Sequence, residues 1–196
     1  MIVTNQILKN NLEFYSNKNN KINRKIKNGE LIPIKKGLYE TDEKTSGYLL
    51  SSSIYGPSYL SFEFALSYYG LIPEKVVVYT NATFNKKKKK RYENYFGTYL
   101  YRDIPKDVYW IGIKLVEENG YSYQIATPEK ALCDKLYTLN PLKNISELET
   151  LLLNDLRIDF NELMKLNVEE IKDISELYHC TNVKLLYKYI RGIQVE

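Results

Sequence analysis

The passage from Ser61 to Glu129 leaves this chain few folds to choose from. It opens with Phe62, Ala65, Leu66 and Tyr69 at i, i+3, i+4 and i+7, the apolar stripe of an amphipathic helix. Ser61 stands in the capping position before it, Gly70 closes it and Pro73 prevents its continuation. Four strand-like runs follow: Val76 to Thr80, Tyr95 to Tyr101, Ile111 to Glu117 and Tyr121 to Ala126. Glu118-Asn119-Gly120 joins the last two, and Asn-Gly is a strong hairpin signal. Thr127-Pro128-Glu129 then starts another helix, with Thr as cap, Pro in the first turn and an acid facing the helix dipole. No linker interrupts this order. It specifies an α+β fold with a mostly antiparallel sheet, one unit over residues 46–143, in which Ser51-Ser52-Ser53 to Pro57-Ser58 reads as a loop.

The flanks are legible from the same signals. Thr4 caps a helix carrying Leu8, Leu12 and Tyr15, and Ser16-Asn17-Lys18 breaks it. A second helix from about Asn20 to Asn28 buries Ile22 and Ile26 and stops at Gly29. Leu31-Ile32-Pro33-Ile34 and Gly37-Leu38-Tyr39-Glu40 flank Lys35-Lys36 as a small β-ribbon, with Pro33 restricting it to an edge. Residues 1–45 are read as an abbreviated winged helix-turn-helix and 46–196 as a larger domain with a helical tail. In that tail Ser146 with Glu149 makes a capping box, Asp159 with Glu162 and Asn167 with Glu170 repeat the spacing, and Thr181 opens a last helix ending near Gly192.

Where the charge sits matters more than its total. The chain has 28 Lys and Arg against 24 Asp and Glu, a net of +4, and 23 of the basic residues are Lys. Residues 1–45 hold nine basic and five acidic residues, 46–143 thirteen and nine, and 144–196 six and ten. Two basic regions are therefore followed by an acidic tail. No apolar run approaches a membrane span and the first residues lack a secretory signal, so no membrane association and a cytoplasmic location are expected. Cys133 and Cys180 lie too far apart for a redox or zinc motif and are read as buried small hydrophobes. The single histidine, His179, adjoins Cys180, and adjacent side chains diverge, so they form no nucleophile–base pair.

The second helix carries Lys21, Arg24, Lys25 and Asn28 on one stripe, away from Ile22 and Ile26. A buried face, a basic face and a basic ribbon suit a helix that enters the major groove beside a wing. Arg24 and Asn28 are types able to read base edges; Lys18, Lys21, Lys25, Lys27, Lys35 and Lys36 suit phosphates. The alternative is a solvated helix face in a Lys-rich chain. The run Lys86, Lys87, Lys88, Lys89, Lys90 and Arg91 falls between strand-like segments and reads as an exposed loop or hairpin arm. It is either a second nucleic-acid contact or a solvated guard against edge pairing. Tyr92 and Tyr95 beside it could stack on bases, although strand tyrosines more often face a core.

Enzyme signatures are mostly missing: there is no phosphate loop, nucleophile elbow or cluster of metal histidines. Glu129, Lys130, Asp134 and Lys135 have the residue types of a nuclease-like metal site, but on one helix they read as its start and its solvent face. No catalytic residue, cofactor or metal is therefore expected, and a non-catalytic protein-interaction module remains the competing class.

The ordered blocks Lys35-Lys36-Gly37-Leu38-Tyr39, Tyr59 to Glu74, Thr80-Asn81-Ala82-Thr83, Phe96-Gly97-Thr98-Tyr99, Tyr101-Arg102-Asp103-Ile104-Pro105 and Ile125 to Asp134 resemble the AbiEi-type antitoxins, predicted transcriptional regulators of viral defence systems. The resemblance spans about Ile22 to Tyr137. It implies a winged helix-turn-helix that binds inverted repeats in its own promoter, compatible with a homodimer on double-stranded DNA. It also implies an α/β domain that neutralises an AbiEii-like nucleotidyltransferase toxin in type IV fashion, without requiring a stable complex. The Lys86 to Arg91 run matches a basic stretch of the family, which favours the second nucleic-acid contact. Tyr68-Tyr69-Gly70 stands where many relatives carry a histidine before the glycine, so no histidine role carries over.

Overall fold

The computed structural model describes residues 1–195. Its first part runs β1 (Ile2–Thr4), α1 (Asn5–Asn11), α2 (Lys18–Lys27), β2 (Ile32–Lys35) and β3 (Leu38–Glu40). Thr4 caps α1 by accepting from the Ile7 amide. Asn17 rather than a later residue caps α2, accepting from the Asn20 amide at 3.1 Å, so the helix begins earlier than its apolar pattern. Gly29, at φ +76°, turns the chain out of α2, a conformation that a side chain would strain. β1 lies outside the sequence expectation. It pairs antiparallel with β3, giving the order β1-β3-β2, and Val3 joins Leu8, Leu12, Ile22 and Leu31 in a small core.

A six-stranded sheet forms the larger part. It comprises β4 (Tyr59–Leu60), β5 (Val78–Thr83), β6 (Lys90–Asn94), β7 (Gly97–Asp103), β8 (Ile113–Glu118) and β9 (Tyr121–Ala126), in the order β6-β7-β5-β4-β9-β8. The β5–β7 and β4–β9 pairs are parallel and the other three antiparallel, so the sheet is mixed. The β8–β9 hairpin closes as expected: Asn119 (φ +52°) and Gly120 (φ +79°) both take the left-handed conformation that a two-residue turn requires. The expected strands over Val76, Tyr95 and Ile111 each start two residues later; Tyr95-Phe96 lie in a turn and Ile111-Gly112 in a bend, while Val76-Val77 are irregular.

Ser51 to Ser58 is not a loop throughout. A 3-10 turn over Gly47–Leu50 runs into α3 (Ser51–Ile54). The cause is tertiary: Leu50 and Ile54 are buried with Tyr99 and Tyr101 of β7 and with Ile34 and Leu38 of the N-terminal sheet. Leu100 and Arg102 alternate to the opposite face of β7, where Arg102 meets Glu63 of α4 (Phe62–Tyr68). The sheet is thus covered by α3 and the N-terminal sheet on one side and by helices on the other.

The cap of α4 corrects the sequence reading. Ser61 occupies the position, but its hydroxyl donates to Asp134 at 2.5 Å and caps nothing. Thr80 of β5 substitutes: its hydroxyl donates to the Ser61 carbonyl at 2.6 Å and accepts from the Phe64 amide at 3.0 Å. Thr80→Val is therefore expected to cost about 1–2 kcal/mol, as loss of an ordinary helix cap does, measured by urea denaturation.

The remaining helices are α5 (Pro128–Tyr137), α6 (Ile145–Thr150), a wide π turn over Leu151–Asp155, α7 (Phe160–Met164), α8 (Val168–Tyr178) and α9 (Thr181–Val195). Thr127, Asp159 and Asn167 cap α5, α7 and α8 as expected. Ser146 does not cap α6; Asn144 does, accepting from the Glu147 amide, while Glu147 accepts from the Lys143 amide. The box is real but two residues earlier. Nor does α9 end near Gly192: Ile193 packs against the core and the Gln194 side-chain amide donates to the Met164 and Leu166 carbonyls, and the helix runs on to Val195. Cys133 is buried, whereas Cys180, beside the start of α9, is only half-buried. No described helix is long and apolar enough to cross a membrane.

Candidate nucleic-acid interface

Ile22 fixes α2 on the small N-terminal core, with Ile26 packed beside it. At 100° per residue, Arg24 then stands opposite those two isoleucines. Arg24, Lys27 and Asn28 are exposed, and Lys18, Lys21 and Lys25 are half-buried. All six share one helix or its C-terminal cap, and none belongs to the core. The Lys21 ammonium lies 4.5 Å from the centre of the Tyr15 ring. A shallow groove of about 200 Å³, lined by Tyr15, Ser16, Asn17, Asn20, Lys21 and Arg24, runs along this face.

Glu30 restrains part of the stripe. Its carboxylate accepts from Lys25 at 2.7 Å and from Asn28 at 3.3 Å. The Lys25 hydrogen bond, followed by that from Asn28, holds the Glu30 carboxyl below its ordinary value. Arg24 makes no ion pair among the described residues. The two ribbon lysines also differ. Lys36 is exposed, while the Lys35 ammonium donates to the Ile54 carbonyl at 2.7 Å and ties the ribbon to α3.

The Lys86 to Arg91 run is a loop only in part. Lys90 and Arg91 begin β6, an edge strand. Asp103 organises the start of the run, its Oδ2 accepting the backbone amides of Lys86 and Lys87 at 2.7 and 2.6 Å. The Lys86 ammonium donates to the Gly56 carbonyl at 3.0 Å, and Arg91 pairs with Glu93. Lys87, Lys88, Lys89 and Lys90 make no ion pair among the described residues. Tyr92 packs against Tyr55 and Tyr101, as a core-facing strand tyrosine should, but Tyr95 in the β6–β7 turn is exposed.

A cleft of about 670 Å³ opens between this run, β7 and the C-terminal end of α5. At its base Glu63 Oε1 accepts from Arg102 at 3.0 Å and from Lys135 at 2.7 Å. Burial alone would raise the Glu63 carboxyl; the Lys135 hydrogen bond and the Arg102 charge outweigh it and carry it below its ordinary value. Neither Glu63, Arg102, Lys135 nor Asp103 was singled out for this role by sequence. They come from separate elements, and no spacing links them.

Glu129, Lys130 and Asp134 are not the solvent face of α5. Lys130 and Asp134 are fully buried, because α5 packs against α4, α8, α9 and the sheet. The Lys130 ammonium lies 2.9 Å from Asp134 Oδ1, which also accepts from the Tyr178 hydroxyl. Asp134 Oδ2 accepts from Tyr59 at 2.9 Å and Ser61 at 2.5 Å. Burial, followed by the Asp134 charge, pushes the Tyr59 and Tyr178 phenols well up. With two donors on each oxygen the carboxylate is saturated, and it lines neither this cleft nor a second of about 740 Å³ near the N-terminus. Among the described residues no group of three or more His, Cys, Asp or Glu is placed to hold a metal ion. A scan of protein-family models found none that matches the chain, and a search of curated proteins found no match.

Proposed function

We propose that the chain is an antitoxin and transcriptional autorepressor of a type IV toxin-antitoxin operon acting in phage defence. It binds inverted repeats in its own promoter and counteracts a nucleotidyltransferase-like toxin encoded beside it, in the cytoplasm. In this reading β1, α1, α2 and the β2–β3 ribbon act as an abbreviated winged helix-turn-helix, with α2 in the major groove. The observation that carries it is the outward face of α2, where Arg24 stands opposite the buried Ile22 and the half-buried Ile26, free of ion pairs among the described residues. Arg24 suits the O6 and N7 acceptors of guanine, and Asn28 the N6 and N7 edge of adenine. Lys18, Lys21, Lys25, Lys27 and Lys36 neutralise flanking phosphates, and the Lys86 to Arg91 run adds attraction at longer range. Two copies on an inverted repeat satisfy the symmetry of such a site.

The toxin half of the proposal rests on the resemblance, and the structure supplies a physical sense for its blocks. Tyr59 and Ser61 meet Asp134, Thr80 caps α4, and Asp103 holds Thr83 and the lysine run. These blocks are the ties of the larger domain, the part to which neutralisation is assigned.

Arg24→Ala tests the DNA half. Binding to the chain's own promoter is expected to lose roughly 1–3 kcal/mol of discrimination at one base pair, read as a relaxed preference in competition against single-base variants. Binding to the promoter that is weak, indifferent to sequence and lost in moderate salt would instead favour a protein-interaction module with an incidental basic surface.

A further inference from the structure

The cleft beside the lysine run is concave and lined by six cations, Lys87 to Lys90 with Arg102 and Lys135, against two carboxylates. That net of +4 equals the excess of the whole chain. Both carboxylates are already engaged: Glu63 by Arg102 and Lys135, and Asp103 by the Lys86 and Lys87 amides and Thr83. The four lysines Lys87 to Lys90 are thus left to meet an outside anion. The same cleft is lined by Tyr137 at the end of α5, which keeps 37% of its surface exposed while its ring packs on Tyr178 at 5.3 Å between ring centres. Leu100, half-buried, adds an apolar side chain to the lining.

Shape and size select among polyanions. A volume of about 670 Å³ is that of a small-molecule site, roughly 300–1,000 Å³. Duplex DNA presents a broad rod of evenly spaced charge, which a cleft closed by a helix end on one side does not follow. A ligand with several phosphates at one end and a flat ring at the other matches both walls. We propose that this cleft binds a free nucleoside triphosphate, its phosphates on Lys87 to Lys90 and its base stacked on Tyr137. The site is separate from α2 and goes beyond DNA reading.

The test uses the full chain and a fluorescent nucleoside triphosphate, with tripolyphosphate, the unphosphorylated nucleoside and a short single-stranded oligonucleotide as competitors. The triphosphate is expected to bind and to be displaced least by the nucleoside. Changing Lys87, Lys88, Lys89 and Lys90 together to Gln, all exposed positions, is expected to weaken it at least about tenfold and to flatten its salt dependence. Tyr137→Leu is expected to weaken the triphosphate about 5- to 100-fold while leaving tripolyphosphate unchanged, since only the base loses its partner. Equal affinity for tripolyphosphate and nucleoside triphosphate overturns the proposal, as does preferential displacement by the oligonucleotide or undiminished binding by the Gln variant. Lys21→Ala, Arg24→Ala and Lys25→Ala combined should leave triphosphate binding intact whatever they do to promoter binding, so the two readings fail separately.

Discussion

Asp134→Ala is expected to destabilise the folded chain by about 3–5 kcal/mol, the usual cost of removing one partner of a buried ion pair. The loss falls on several groups at once. The Lys130 ammonium, with no exposed side-chain surface, keeps only the Tyr178 hydroxyl, and the Tyr59 and Ser61 hydroxyls lose their acceptor. Against a typical total of roughly 5–15 kcal/mol, this is a large fraction. Lys130→Met is expected to cost less, because the carboxylate it leaves behind still accepts from Tyr59, Ser61 and Tyr178. The double change Lys130→Met with Asp134→Ala is expected to cost less than the sum of the two single changes, since neither charge is then stranded. Urea denaturation of the three variants checks the order. A cost under about 1 kcal/mol for Asp134→Ala would mean that water reaches the pair and that the network does not tie β4, α5 and α8 together.

Local chemistry was legible and non-local chemistry was not. Thr4, Gly29, Asn119-Gly120, Thr127-Pro128, Asp159 and Asn167 act on backbone groups within a few residues, and each sits where its type requires. Ser61 shows the limit. Its type and position announce a cap, yet a carboxylate 73 residues away takes its hydroxyl and a threonine on a neighbouring strand takes over the capping. β1, β4 and α3 are too short to show a period, and they exist because β3, β5, β9 and β7 offer them a ladder or an apolar face. Lys130 and Asp134, four apart, read equally well on a surface or in a core, and only Tyr59, Ser61 and Tyr178 decide it. The basic face of α2 was legible because it is local. The restraint that Glu30 places on Lys25 and Asn28 and the anchoring of Lys35 on Ile54 were not, and the cleft at Glu63 needed the whole sheet to assemble it.

The combined change of Lys21, Arg24 and Lys25 to Ala is expected to lower promoter affinity by about 3–5 kcal/mol, roughly 100- to 1,000-fold or more, if α2 reads the groove. Two of the three are proposed phosphate contacts, so the slope of log affinity against log salt should fall by about 1.8, at about 0.9 per contact. The fold should survive, because none of the three belongs to the core and the only ion pair they make among the described residues, Lys25 with Glu30, is exposed at the surface. Glu30→Gln provides a control of opposite sign. It releases Lys25 from its carboxylate and removes a negative charge facing the DNA, so affinity should rise and the salt slope steepen. Unchanged promoter binding by the triple variant in a gel shift or by fluorescence anisotropy would remove α2 as the reading helix. A fall in affinity with no change of salt slope would leave Arg24 as a base contact and return Lys21 and Lys25 to the solvated face.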